Sequence, residues 1–205
     1  TGLQQSNSEL ANNIKLNPSL DGMGCTLVGA YISKAGIQWI SVGDSPLFLY
    51  RGGKLIRLNA DHSMAPVIEE SLRLGKITKD EASSHPNRNA LRSALMGGEL
   101  NLIDASISPY PLSAGDIVVL ASDGLLTLEE NEIEKLLASH KRESAKSIAE
   151  LLINQVKARK KPRQDNTTVQ VVVVPKALAS SNSWLFRSSL AFVFLSLLSI
   201  CIYFL

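Results

Sequence analysis

Two stretches decide the reading of this chain: Leu120-Ala-Ser-Asp123-Gly-Leu125 and, further on, Gln164-Asp165-Asn166-Thr-Thr-Val169. Each sets an aspartate at the mouth of an apolar strand. Residues 116–122 (DIVVLAS) run into Asp123, and Asp165 stands just ahead of residues 169–174 (VQVVVV). Short β-branched runs of this kind read as buried strands. A carboxylate at a strand end is held by rigid backbone and still faces solvent. Two of them converging from neighbouring strands make a hard oxygen site of the type that suits magnesium or manganese. That points to metal-assisted chemistry, on phosphate above all. Each motif alone is an ordinary turn or loop signal; the weight lies in their joint occurrence with what surrounds them.

Upstream, strands are expected over residues 26–32, 37–42, 47–51 and 54–58, with Gly52-Gly53 as a two-residue hairpin turn, because both glycines tolerate positive φ. Residues 3–16 have weakly amphipathic helical spacing and read as the end of a helix, stopped by Asn17-Pro18. Pro66 to Leu74 reads as a helix, and Thr78-x-x-Glu81 is a capping box that opens another. A strand near Leu102–Ser108 precedes the one over 116–122. Thr127-x-x-Glu130 is expected to cap a helix running to about Ser139. Ser144 or Ser147 should open a second one, with Ile148, Leu151, Leu152 and Val156 on one face as core.

Read in order, Gly22-Met-Gly-Cys-Thr26, Ser41-Val-Gly-Asp44-Ser45, Ala60-Asp61-His62-Ser63, Gly75 to Ala82, His85-Pro-Asn-Arg88-Asn89, Leu91-Arg92 to Gly97, Ser122-Asp-Gly-Leu125 and Asp165-Asn166-Thr-Thr168 resemble the metal-dependent protein serine/threonine phosphatases, the type 2C (PPM) family, in their bacterial form. The resemblance covers about residues 20 to 174. It implies an α+β fold: two antiparallel sheets in a sandwich, flanked by helices on both faces as four αββα layers. It also implies dephosphorylation of phosphoserine and phosphothreonine in proteins by a water activated on two Mn2+ or Mg2+ ions, with a third, weaker ion. Asp123 and Asp165 would ligate the pair and Asp44 the third. Asn166 would orient Asp165, and Gly124 and Ser45 would stand behind the ligands. Arg88 and Arg92 could meet phosphate from the region 64–97, which in the family is a flap beside the active site. His62 is tempting as a general acid but reads better as a strand-exit element, and His85 and His140 read as surface.

Asp21-Gly-Met-Gly24 mimics the family's first metal motif, but Gly24 runs straight into strand composition, so Asp21 is expected away from the metal site. The true first motif, with its bridging aspartate, is expected upstream of Thr1. On that reading residues 1–175 are a partial phosphatase domain, the C-terminal two-thirds of a whole one, and inactive by themselves. The rival class is a membrane-tethered pseudophosphatase, a phosphoprotein-binding module without turnover. Partners on the first reading are phosphoproteins, a serine/threonine kinase or its substrates.

A net charge of +2 over 205 residues does not suggest nucleic acid. The two cysteines, Cys25 and Cys201, are not expected to pair. Residues 188–205 carry no charge, and counting from Trp184 adds only Arg187. A helix over 184–205 would span about 33 Å, enough for a bilayer core. The expectation is a linker at 176–183 and a C-terminal membrane helix at 184–205 in contact with lipid. The basic residues of 157–163 then place the folded part on the cytoplasmic side.

Overall fold

A computed structural model of the chain describes residues 1–162, 164–175 and 194–201. The strands are β1 (Gly24–Ser33), β2 (Gly36–Val42), β3 (Leu47–Arg51), β4 (Lys54–Arg57), β5 (Asp104–Ala105), β6 (Ile117–Ala121), β7 (Val169–Val173) and β8 (Phe194–Cys201). They form two antiparallel four-stranded sheets, ordered β5-β2-β1-β8 and β4-β3-β6-β7. The expected meander is present, and the β3–β4 turn is made by Gly52 and Gly53 at φ +59° and +88°.

Alternation along the strands splits the apolar residues between two cores. Val28, Ala30, Ile32 and Ile37 of the first sheet meet Leu47, Leu49, Val118 and Leu120 of the second between the sheets. Phe48, Tyr50, Ile117 and Val119 point the other way, onto helices α4 (Glu130–His140) and α5 (Ala145–Ala158). Those helices contribute Ile133, Leu137, Ile148, Leu152 and Val156, all essentially inaccessible. A β-strand whose alternate side chains feed two cores is apolar throughout, which is why β6 is buried at every position. The carboxylate of Asp116, just before β6, accepts from Arg51 Nε (3.0 Å), Arg51 Nη2 (2.5 Å) and the Ser113 N–H (2.6 Å).

The remaining helices are α1 (Gly2–Leu16), α2 (Ala65–Arg73) and α3 (Lys79–Ser83). The Thr78–Glu81 capping box opens α3 as expected. Three expectations need correction. Glu129, not Thr127, caps α4, in a box with Glu132, because residues 123–127 are used in a 3-10 turn that buries Leu125. The strand at 102–108 shrinks to Asp104–Ala105. Within that short strand Asp104 pairs with Ser41 of β2, and its carboxylate accepts from Trp39 Nε1 (2.9 Å) and the Ala60 N–H (2.8 Å).

The third correction concerns the layers. Among the described residues the helical layer is α4 and α5 on one sheet. Helix α1 has only Asn7 fully buried, with Leu3, Leu10, Ala11 and Ile14 half-buried on the same face, so no deeply buried stripe lies on the other sheet. It docks through Asn7 on Gly97 and Gly98 instead.

The C-terminal expectation also changes. Residues 194–201 form a strand paired antiparallel with β1, from Gly24↔Cys201 to Tyr31↔Phe194. No helix among the described residues is long and apolar enough to cross a membrane. The length argument treats an apolar run only as a span, whereas the open edge of β1 is a template for any strand-length apolar segment. The expected linker at 176–183 and the rest of 184–205 lie outside the described residues. Cys25 is a free cysteine.

Candidate metal centre

The ends of β6 and β7 are tied together before either aspartate is reached. Ala121 pairs with Val169. The Ser122 N–H then donates to the Thr168 carbonyl (3.0 Å), the Thr168 N–H to Ser122 Oγ (3.0 Å), and Ser122 Oγ to the Asn166 carbonyl (3.2 Å). This puts Asp123 and Asp165 at the same end of one sheet. Gly124 completes the contact. A Cβ there would lie 2.4 Å from Thr167 Oγ1 and 2.5 Å from the Asn166 carbonyl oxygen, so only glycine lets the two loops approach this closely. The backbone N–H of Asn166 donates to Asp165 Oδ1 at 2.8 Å.

Asp44 comes from the loop that crosses from β2 in one sheet to β3 in the other. The segment after β4 grips that loop. Arg57 Nη2 donates to the Asp44 carbonyl (2.6 Å), and Asn59 Nδ2 donates to the Ser45 carbonyl (2.9 Å). The Gly43 N–H donates to His62 Nδ1 (3.2 Å), and the His62 N–H to the Gly43 carbonyl (3.1 Å). Ser45 is buried, its Oγ 2.8 Å from Thr26 Oγ1, so it anchors the loop to β1. Arg57 and Asn59 escape the motif reading, whereas His62 lies in the Ala60–Ser63 motif and reads there only as a strand-exit element.

The electrostatics link the three carboxylates. Burial pushes the Asp44 carboxyl up to about 6, and the negative charge of Asp123 adds to it. Asp123 is itself raised, by burial first and then by Asp165. Asp21 is exposed, in the turn ahead of β1. Among the described residues none of the three makes an ion pair with a Lys or Arg side chain. Asp44 and Asp123 are partly desolvated, Asp165 is exposed, and Arg57 offsets only part of the charge around Asp44; crowded carboxylates of this kind are a donor set for a hard divalent cation. Among the described residues, however, no three His, Cys, Asp or Glu side chains are gathered tightly enough to hold an ion unaided. The coupling runs in pairs, Asp44 with Asp123 and Asp123 with Asp165. This suits Mg2+ or Mn2+, which keep several waters and take one or two carboxylates each.

Of the two flap arginines, Arg88 is spent on Glu69 (2.5 Å). Arg92 lines an open cleft of about 660 Å³ with Thr26, Asn87 and Asn89. His62 is buried and accepts a hydrogen bond at Nδ1, so it is not placed to deliver a proton to solvent-borne substrate.

No protein-family model matches the chain. It is 34% identical over 171 residues to the serine/threonine phosphatase stp of Listeria monocytogenes, an alignment covering 83% of this chain and 64% of that protein. The chain thus spans under two-thirds of the length of that curated relative. Its fold superposes on the S. agalactiae serine/threonine phosphatase with a TM-score of 0.71 at 27% identity, covering 84% of this chain and 67% of the other. It also superposes on the catalytic domain of the serine/threonine protein phosphatase PstP, solved in complex with 2 manganese ions. There the TM-score is 0.61 at 26% identity, over 83% and 68% of the two chains. The chain has the α+β fold of the PPM-type phosphatases, and its homologues and structural neighbours are protein serine/threonine phosphatases of that family.

Proposed function

We propose that this chain forms the metal-binding part of a protein serine/threonine phosphatase. Asp123 and Asp165 hold the ions that activate water, and Asp44 holds a further, weaker one. The observation that carries this is the β6–β7 seam that brings Asp123 and Asp165 to one end of one sheet, with Asp44 on the neighbouring loop close enough for the charge of Asp123 to act on it. Bound Mn2+ or Mg2+ lowers the pKa of a coordinated water and screens the phosphoryl oxygens. The chain's own part is to fix the carboxylates through the Ser122–Thr168 and Gly124–Asn166 contacts; Arg92, exposed in a cleft that none of the three aspartates lines, is the proposed phosphate contact from the flap. Phosphoserine and phosphothreonine proteins are the proposed substrates, by analogy with the named relatives, and a kinase that makes them the proposed counterpart.

Asp123→Asn in the whole protein tests the reading. Manganese-dependent hydrolysis of a phosphopeptide should fall at least a hundredfold with folding intact. Full retained activity overturns the ligand assignment. Manganese binding without turnover in the unaltered protein selects the pseudophosphatase instead.

Location is a separate proposal. The uncharged run 188–205 and the basic residues of 157–163 support membrane attachment with the folded part cytoplasmic. Sheet and bilayer compete for residues 194–201, which β8 occupies. Carbonate extraction of the whole protein, with and without residues 176–205, decides: only attachment through the tail makes the pelleted fraction depend on it.

A further inference from the structure

His62 is left unused by the chemistry above, yet it is one of the most enclosed polar side chains in the molecule, at 5% exposure. Its bonds run in two directions. Toward the loop, it closes a two-bond ring with Gly43, giving its N–H to the Gly43 carbonyl (3.1 Å) and taking the Gly43 N–H on Nδ1 (3.2 Å). Toward the flap, its carbonyl accepts the Arg92 N–H at 2.7 Å. The next residues continue the seam: Ser63 bridges Leu91, and the Met64 N–H donates to the Ala90 carbonyl at 2.9 Å. Gly43 has little freedom of its own. At φ +102° it lies so close to Thr26 that a Cβ would meet Thr26 Cγ2 at 2.3 Å.

Asp44 is therefore bracketed. Arg57 holds its carbonyl and Asn59 the carbonyl of Ser45, while His62 takes the Gly43 N–H on its imidazole and the Gly43 carbonyl on its backbone N–H, just ahead of Asp44. Of the three gripping residues, only His62 also bonds to the 88–92 strip, where Arg92 lines the cleft.

We propose that His62 is a positioning residue: it sets the Asp44 carboxylate for metal binding and couples that setting to the flap strip that carries Arg92. The proposal rests on the reading of Asp44 as a metal ligand. The imidazole acts as a hydrogen-bond acceptor at Nδ1, which assigns its proton to Nε2. An asparagine Oδ1 can accept in the same way, whereas leucine fills the space and accepts nothing. A partner standing behind a metal ligand commonly governs 10–100-fold in affinity.

The test uses the 205-residue chain and the variants His62→Leu, His62→Asn and Asp44→Asn. Two readouts are followed: Mn2+ binding by titration calorimetry and hydrogen exchange of the Gly43 amide in metal-free protein. His62→Leu should weaken the Mn2+ event that Asp44→Asn removes by about tenfold and speed Gly43 exchange. His62→Asn should restore both most of the way while melting no higher than His62→Leu, a rescue that simple packing does not give. Unchanged Mn2+ affinity in a folded His62→Leu, with Asp44→Asn still impaired, overturns the positioning role alone. If Asp44→Asn itself leaves Mn2+ binding unchanged, the metal reading of Asp44 falls, and the coupling with it. Failure of His62→Leu to fold leaves His62→Asn to decide, by whether Gly43 stays protected and the Mn2+ event survives.

Discussion

Replacing Asp44 by asparagine should make the metal-free protein more stable, not less. The two side chains are nearly isosteric, so packing is conserved and the change isolates the charge. A carboxyl moved from 3.8 in the unfolded chain to about 6 in the fold costs on the order of 3 kcal/mol when ionised at pH 7. Partial access of water makes this an upper value. The sign follows from the direction of the rise. Below pH 3.8 the group is protonated in both states and contributes nothing. Between 3.8 and 6 the native state holds the proton more tightly, so stability falls as pH climbs. Above 6 the whole penalty is present. Asparagine never incurs it. In EDTA, Asp44→Asn should therefore match the wild type near pH 4 and exceed it at pH 7.5 by up to about 3 kcal/mol, or roughly 5–10 °C in Tm for a chain of this size. Manganese should cancel most of the difference at a hundred times its Kd, where binding adds about 2.7 kcal/mol, and reverse the order at a thousand times, where it adds about 4.1 kcal/mol to whichever protein binds it. Urea denaturation at several pH values, with and without metal, measures all of this. A variant less stable than the wild type in EDTA at pH 7.5, or a difference that ignores pH, would refute the claim that the carboxylate is held against its own charge.

Gly124→Ala should force the Asn166–Thr167 backbone away from β6, costing about 1–3 kcal/mol and weakening Mn2+ binding, which melting and calorimetry on one sample resolve together. Asp116→Ala strips the acceptor from Arg51 and Ser113; with Asp116 only 3% exposed but Arg51 32%, the loss should be about 2–4 kcal/mol in urea, with Mn2+ affinity unmoved. Arg92→Ala should raise KM for a phosphopeptide in the whole protein more than it lowers kcat, whereas Arg88→Ala, already paired with Glu69, should change neither beyond about twofold.

What the sequence showed plainly was local. Gly52-Gly53 announces its turn, Thr78 and Glu81 their cap, and the apolar runs around Asp123 and Asp165 their strands, because each signal lies within a few residues of its effect. What it hid depends on distant partners. Nothing near Thr127 says that residues 123–127 will be drawn into a 3-10 turn under the core, passing the cap to Glu129. The strand read over 102–108 keeps only Asp104 and Ala105, and the distant Trp39 and Ala60 claim the Asp104 carboxylate. The run 194–201 satisfies a hydropathy window and a strand equally well, and the pairing with β1 is a tertiary event. His62 was legible as a strand-exit element; its bonds to Gly43 became visible only in the fold.

The bracketed Asp44 loop has a kinetic side as well. Its ties join residues 43–45 to 57–62, through a meander with one tight turn, so little chain entropy is lost in closing them. The Asp123–Asp165 seam encloses two helices and must wait for them. The two halves of the site therefore mature on different schedules, the local one first. An ion that needs both becomes a reporter of the last docking step, and the moment at which manganese is captured marks the moment at which the sandwich is closed.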